Sequence, residues 1–193
     1  MFIRSALFFG YVLVSSAVLA AAPAADVLTK PCAECHGPDG ASSNAKTAQL
    51  NGQLGEYLAE QIGALSQGRR TSSVAEHIPK DWSDADIAAV AKFYAKRKAT
   101  RPQQSTDPEL VAQGQAIYQK RCAECHPDNG RASDHDAPLM AAQNLDYMMA
   151  QAREFVAGKR KFVFMMDTAF KGLSPAELDS VAHFFASQAQ SKK

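Results

Sequence analysis

Apolar residues recur with the period of an α-helix after Ser83 and again after Ser174. The residues that share the two apolar faces are Ile87, Val90, Ala91 and Tyr94 in the first segment and Leu178, Val181, Ala182 and Phe185 in the second. Each serine precedes an acidic residue by three positions, Asp86 or Glu177, which is typical of a helix N-terminal capping box. Pro175 occupies the first helical position, where its missing N–H costs no hydrogen bond. The pattern predicts two amphipathic helices with matching starts.

Two further helices are predicted at about residues 54–65 and 145–156, and a short helix is predicted at each of the two cysteine motifs described below. No segment sustains the alternation of apolar and polar residues that a half-buried strand requires. The sequence therefore predicts an all-α fold with little or no sheet.

These helical segments belong to an internal duplication. Residues that recur at an offset of 90 positions are Gln53, Tyr57 and Gln61, as Gln143, Tyr147 and Gln151, and Gly68-Arg69-Arg70, as Gly158-Lys159-Arg160. After one residue of slippage, residues 82–95 match residues 173–186. The polar stretch 99–108 contains two prolines and is predicted to be a linker. We therefore expect one unit at 23–98 and its copy at 109–193.

The four cysteines lie in two identical motifs, Cys32-Ala33-Glu34-Cys35-His36 and Cys122-Ala123-Glu124-Cys125-His126. C-x-x-C-H is the attachment site of a c-type haem: each cysteine forms a thioether to a vinyl group, and the histidine ligates the iron. The sequence predicts two covalent haem c groups, bound through Cys32, Cys35, Cys122 and Cys125, with His36 and His126 as iron ligands. The alternatives are structural disulfides or a tetrahedral zinc site, which would need both cysteine pairs folded together.

The first 22 residues are predicted to be a cleaved signal peptide. Arg4 provides a short positive region, residues 6–20 are largely apolar, and small residues follow at 20–25. The apolar run is shorter than the roughly 20 residues that a bilayer span needs, although an uncleaved anchor is the alternative. We expect a periplasmic protein whose mature chain does not span the membrane.

The mature chain is electrically neutral. Of the 21 lysines and arginines, only Arg4 lies in the signal peptide, so 20 basic residues match 20 acidic ones. This balance argues against nucleic acid as a partner. The chain also lacks a dinucleotide-binding glycine motif and a nucleophile elbow, so any flavin would belong to a partner protein.

Taken together, these motifs resemble the di-haem class I cytochromes c of the cytochrome c4 type. The chain is also similar to the di-haem cytochrome subunit of flavocytochrome c sulfide dehydrogenase, particularly over residues 104–126. The resemblance rests on the paired C-A-E-C-H motifs, the steps Gly52-Gln53 and Ala142-Gln143, the G-[RK]-R turn and the start of each final helix. It implies two tandem class I cytochrome c domains related by pseudo-two-fold symmetry, with haems facing each other across the interface.

The resemblance also implies a methionine as second axial ligand, about seven residues before the final helix start. In the second unit Met166 stands seven residues before Leu173 and Met165 stands eight before it, so the spacing favours Met166 over Met165. Met140 and Met148 are interpreted as core residues, because leucines occupy their positions in the first unit.

The first unit departs from this pattern. Ala75 occupies the methionine position, and no methionine occurs between residues 2 and 139. His77, five residues before Trp82, is the only histidine of this unit besides His36, so we expect bis-histidine ligation of haem 1 by His36 and His77. The alternatives are Lys80 as ligand, or five-coordinate iron with His77 at the surface and an open site for small molecules.

The features together predict an electron carrier rather than an enzyme, with redox proteins as partners: a terminal oxidase, a reductase or a flavoprotein dehydrogenase. The alternatives are a dedicated cytochrome subunit of a flavoprotein dehydrogenase, and a haem enzyme or ligand sensor that uses an open haem 1. His135 and His183 are expected to lie at the surface.

Overall fold

The computed structural model describes residues 25–101, 103–134, 137–161 and 164–189, and every regular element within these ranges is a helix. The predicted all-α fold is confirmed for this part of the chain. The predicted signal peptide and His135 lie outside the described residues. None of the helices in the ranges described is long and apolar enough to cross a membrane.

The helices repeat between the two units. The first unit contains α1 (Ala25–Leu28), α2 (Lys30–His36), α3 (Gly55–Ser66), a 3-10 helix (Ser73–His77) and α4 (Asp84–Ala95). The second contains α5 (Pro108–Arg121), α6 (Pro127–Gly130), α7 (Leu145–Val156), α8 (Phe164–Phe170) and α9 (Pro175–Ser187). Helix α4 packs against α1 and α3, and α9 packs against α5 and α7 in the same way.

The predicted capping boxes are present at the starts of α4 and α9. The Asp86 N–H donates to Ser83 Oγ at 3.2 Å, and the Asp86 carboxylate accepts from the Ser83 N–H at 2.9 Å. Glu177 and Ser174 form the same reciprocal pair. The hydroxyl and the N–H of each serine both donate to the carboxylate, and because these bonds stabilise its ionised form they lower the pKa of Asp86 and of Glu177.

Each unit has its own hydrophobic core. The buried residues are Leu28, Leu58, Val90, Ala91 and Tyr94 in the first core and Tyr118, Met148, Ala182, Phe184, Phe185 and Ala186 in the second. Met148 is therefore a core residue, as predicted, and Met140 packs partly buried against the same core. The sequence pattern missed Phe184, whose ring stacks on that of Tyr118 with centroids 4.7 Å apart.

The prediction of a short helix at each cysteine motif is right for the first motif and wrong for the second. Helix α2 contains residues 32–36, whereas α5 ends at Arg121 and residues 122–126 form turns. The N–H groups of Cys122 and Ala123 both donate to the carbonyl of Tyr118, at 2.9 and 3.0 Å. Because one carbonyl serves two successive donors, the regular helical pattern ends there.

His183 is not simply a surface residue. It is partly buried, and its Nδ1 accepts a 3.0 Å hydrogen bond from the N–H of Asp107. Asp107 caps α5, so Pro108, the last residue of the predicted linker, already belongs to that helix. The His183 ring thus connects the start of α5 to α9.

Candidate haem sites and the interface between them

The two motif histidines are held in the same way. His36 Nδ1 lies 2.9 Å from the carbonyl oxygen of Ala48, and His126 Nδ1 lies 2.9 Å from that of Pro138. Each carbonyl lies 12 residues after its histidine. A carbonyl can only accept, so the proton belongs on Nδ1 and the lone pair of Nε2 is left for a metal.

Electrostatics favours the same state of these rings. Burial lowers the pKa of His36 and of His126, and the hydrogen bond to the carbonyl opposes this only in part. Both imidazoles are therefore favoured in the neutral form, which is the form that binds iron.

The first cysteine of each motif packs against the core of its unit, whereas Cys35 is exposed and Cys125 is partly buried. All four cysteines are free, and Cys32 and Cys122 contact the cores of their units. Burial raises the pKa of Cys122 to about 11. No three His, Cys, Asp or Glu side chains converge on a metal site within the described ranges, so the two pairs do not assemble as the zinc alternative requires. Two thiols beside an oriented imidazole fit a covalently attached haem in each unit.

Each segment that carries candidate second ligands contains a short helix, the 3-10 helix in the first unit and α8 in the second. In α8, Met166 is partly buried while Met165 is 46% exposed. In the first unit His77 ends the 3-10 helix and is exposed. The Lys80 ammonium donates to the carbonyl of Ala75 in that helix at 3.4 Å and to the carbonyl of Ser66 at the end of α3 at 3.5 Å.

Glutamines that recur in the duplication join the two units. The Gln53 side-chain amide donates to the carbonyl of Leu139, and its oxygen accepts from the Leu139 N–H, both at 2.9 Å. Gln143 forms the same pair with the backbone of Gln49, at 3.1 and 2.7 Å. Leu139 and Gln49 each follow directly the residue whose carbonyl orients a motif histidine. The interface is therefore connected to both motif histidines, His36 and His126, by a pseudo-two-fold arrangement.

A second symmetric set of contacts lies at the same interface. The side-chain oxygen of Gln61 accepts from Arg70 at 3.0 Å and from Arg160 at 2.8 Å. The oxygen of Gln151 accepts from Arg160 at 2.6 Å and from Arg70 at 2.8 Å. Arg160 also donates to the hydroxyl of Tyr57 at 3.1 Å. Each glutamine oxygen thus accepts hydrogen bonds from two arginines, one from each unit.

The surroundings of the Tyr57 phenol, which lies beside these arginines, shift its pKa. Burial raises the pKa of Tyr57, with the nearby Tyr147 adding to the rise and the arginines opposing it. Burial tends to lower the pKa of Arg160, but Tyr57 and Tyr147 outweigh it and the net shift is upward. We call Tyr57, Gln61, Arg70 and their counterparts Tyr147, Gln151, Arg160 the interface cluster.

The linker contributes a partly buried arginine, Arg101, that the sequence analysis missed. Arg101 donates to the carbonyls of Ala141, at 2.7 Å, and Asn51, at 3.5 Å, which are equivalent positions 90 residues apart. Burial lowers its pKa to about 10. The sequence feature that could have indicated this role is that Arg101 is the single charged residue in the stretch 99–106.

Comparisons with known proteins decide the family. The family described as cytochrome c oxidase, cbb3-type, subunit III matches residues 109–185. A cytochrome c4 from Pseudomonas aeruginosa is 30% identical over 138 residues, covering 67% of this chain and 68% of that protein. The chain belongs to the cytochrome c4 family. The structure of reduced cytochrome c4 from Pseudomonas stutzeri matches the fold with a TM-score of 0.77 at 23% identity, covering 88% of this chain and 100% of that one.

Two further relatives are named for dehydrogenases of thiosulfate and of sulfide. A thiosulfate dehydrogenase electron acceptor from Thiomonas intermedia is 27% identical over 184 residues, covering 87% of this chain and 85% of that protein. A cytochrome subunit of sulfide dehydrogenase from Chlorobaculum tepidum is 30% identical over 69 residues, covering 36% of this chain and 62% of that protein. Both resemblances expected from the sequence are thereby confirmed.

This member of the cytochrome c4 family is therefore a di-haem c-type cytochrome that transfers single electrons, as the sequence predicted. The two cysteine motifs account for its two covalent haem groups. The assignment of individual iron ligands and the domain boundaries at 23–98 and 109–193 stay predictions.

Proposed function

We propose that this cytochrome is a periplasmic carrier that accepts single electrons from a dehydrogenase of thiosulfate and delivers them to a terminal oxidase or reductase. The observation that carries the proposal is the match to a thiosulfate dehydrogenase electron acceptor, which spans most of both chains. The shorter match to a sulfide dehydrogenase subunit supports reduced sulfur as the general source of electrons.

Rapid mixing of the oxidised holoprotein with a purified thiosulfate dehydrogenase and thiosulfate tests this function. We expect both haems to become reduced at the rate of enzyme turnover, as followed by haem absorbance. A flavoprotein sulfide dehydrogenase with sulfide serves as the comparison. Reduction by that enzyme alone would replace the proposal with the flavoprotein-subunit function, and reduction by neither enzyme would overturn both.

For the axial ligands, we propose His36 and His77 in the first domain and His126 and Met166 in the second. The hydrogen bonds from Nδ1 to a carbonyl support the two motif histidines. The greater burial of Met166 supports it over the exposed Met165. The carbonyl partners of Lys80 support His77 over Lys80 in the first domain.

The difference between the two sets of axial ligands sets the direction of electron transfer through the protein. The haem iron supplies the Fe(III)/Fe(II) couple, and the chain supplies its attachment and ligands. Imidazole stabilises Fe(III) better than a thioether does. With His77 as its ligand, haem 1 therefore has a lower reduction potential than haem 2, whose ligand is Met166. Electrons would then enter at the first domain and leave from the second.

The methionine assignment has a direct spectroscopic test. Met166→His is expected to abolish the weak Fe–S(Met) absorption at the red edge of the ferric spectrum and to lower one potential. Met165→His is the matched control and is expected to leave the band in place. If the band instead disappears only in Met165→His, then Met165 is the ligand.

A further inference from the structure

The backbones of the two motif histidines differ. His126 is followed by Pro127, whereas His36 is followed by Gly37. A proline disfavours the α conformation of the residue before it, and His126 adopts φ −118° and ψ 62°. His36, in contrast, is the last residue of helix α2. The second motif therefore needs a support for its histidine that the first motif obtains from its helix.

A buried tyrosine supplies that support. The Tyr118 side chain is only 2% exposed. Its hydroxyl donates to the carbonyl of His126 at 2.8 Å and accepts from the N–H of Asn129 at 2.9 Å. Its backbone carbonyl accepts from the N–H groups of Cys122 and Ala123. One residue of α5 thus binds the second motif both at its first cysteine and at its histidine.

The same hydroxyl holds a turn with unusual backbone angles. Asp128 and Asn129 have φ of 51° and 55°, in the left-handed region that residues other than glycine rarely adopt. The Gly130 N–H also donates to the His126 carbonyl, at 3.2 Å. Because the Tyr118 hydroxyl joins the carbonyl of His126 to the N–H of Asn129, it fixes the shape of the turn that begins at the histidine.

The His126 ring is held at other points. Its Nδ1 lies 2.9 Å from the carbonyl oxygen of Pro138. Its face meets the Phe185 ring at an interplanar angle of 68°, with centroids 6.0 Å apart. These contacts set the rotation of the imidazole, and the Tyr118 bond sets the position of the backbone from which the imidazole extends.

We propose that Tyr118 is a positioning residue for haem 2, whose hydroxyl holds the His126 backbone where the imidazole keeps both its carbonyl partner and its bond to the iron. This role rests on the proposed ligation of haem 2 by His126. The equivalent of Tyr118 in the first unit is Leu28, a core residue that has no hydroxyl. Loss of the hydroxyl should therefore act on haem 2 and not on haem 1.

Tyr118→Phe tests the proposal, because it keeps the ring and removes only the hydroxyl. Without this bond the His126 backbone should shift, and the bond between Nδ1 and Pro138 should weaken. A carbonyl partner raises the basicity of a ligating imidazole, so its weakening makes Fe(III) less stable. In redox titrations of the holoprotein we expect the potential of haem 2 to rise by about 28 mV, or about threefold in the equilibrium constant for one-electron reduction. The potential of haem 1 should stay unchanged.

NMR of the ferric holoprotein gives a second measurement. The ring signals of an axial histidine carry hyperfine shifts that depend on the orientation of the imidazole, so the His126 signals should move in Tyr118→Phe. Ser180→Ala is the matched control, because it removes another buried hydroxyl of the second domain, one that bonds to Ala176 and Gln113. This control is expected to leave the His126 signals and both potentials unchanged, even where it lowers the unfolding temperature.

The outcomes separate the role of Tyr118 from the ligation by His126. Hyperfine-shifted His126 signals that are the same in wild type and Tyr118→Phe, with an unchanged potential, would overturn the positioning role and leave His126 as a ligand. Wild-type His126 signals without a hyperfine shift would overturn the ligation itself. Equal changes of the haem 2 potential in Tyr118→Phe and Ser180→Ala would show that the loss of any buried hydroxyl suffices, which would also overturn the positioning role.

Discussion

Gln143 binds both backbone groups of Gln49 in the other domain, accepting from its N–H at 2.7 Å and donating to its carbonyl at 3.1 Å. Both residues are buried, so no bulk water is at hand to replace these bonds. Gln53 and Leu139 repeat the arrangement on the other side of the pseudo-two-fold axis. The domain interface is thus built from side chains that complete the backbone hydrogen bonding of the opposite domain.

Replacing Gln143 with leucine is expected to destabilise the protein by about 2–4 kcal/mol, because it leaves the buried N–H and C=O of Gln49 unpaired. The loss is expected mainly between the domains, so chemical unfolding should separate into two steps. Gln115→Leu, at an exposed position on α5, is the matched control and is expected to be nearly neutral. A single cooperative transition at the wild-type midpoint would contradict the assigned role.

Arg101 is expected to fix the relative position of the domains through its bonds to Ala141 and Asn51. Arg101→Gln should increase amide hydrogen exchange in residues 98–106 and in the two contacted loops. Arg101→Lys should show nearly the same increase in exchange, because a lysine ammonium lacks the planar guanidinium that reaches two carbonyls. Arg153→Gln removes an exposed ion pair with Asp179 and is expected to change exchange little. Equal exchange in Arg101→Gln and wild type would disprove this role.

The sequence predicted local features better than contacts between the domains. The capping boxes follow from residues three positions apart, so a pattern within one helix is enough to find them. The repeated Gln53, Tyr57 and Gln61 were visible as a duplication, but the pattern does not show that their partners lie in the other unit. Arg101 has no repeat partner, and its burial depends on how the finished domains meet. The turn at residues 122–126 depends on which donors reach the Tyr118 carbonyl.

Helices α5 and α9 cross closely at Gly114. A Cβ atom on residue 114 would lie 2.0 Å from the backbone oxygen of Ser180, so the helices would have to move apart. Gly114→Ala is expected to destabilise the second domain by about 1–3 kcal/mol, as overpacking typically does. Gly63→Ala, inside α3 where the nearest heavy atom is 4.0 Å away, is the matched control and is expected to be neutral or stabilising. Thermal unfolding of both variants measures the difference.

Acid is expected to weaken the start of α9. Hydrogen bonds from the Ser174 N–H and hydroxyl lower the pKa of Glu177 in the folded state below its unfolded value. The stabilisation is therefore present above the unfolded pKa of about 4.3 and is lost as the pH falls through the folded pKa. Glu177→Gln should show less loss of stability than wild type between about pH 5 and pH 2, as measured by urea unfolding. Parallel pH profiles would rule out this contribution.

His77 is the proposed second ligand of haem 1, in the unit where Ala75 occupies the methionine position, and its substitution gives the sharpest test. With His36 and His77 as ligands, haem 1 is expected to be low-spin and to titrate at a lower potential than haem 2. His77→Ala should make haem 1 high-spin and able to bind carbon monoxide when reduced, without changing the Fe–S(Met) absorption of haem 2. Lys80→Ala is the matched control and should leave both haems low-spin. If His77→Ala leaves both haems low-spin with unchanged potentials, His77 is not a ligand and Lys80 becomes the next candidate. If wild-type haem 1 already binds carbon monoxide and is high-spin, the open-site alternative replaces bis-histidine ligation.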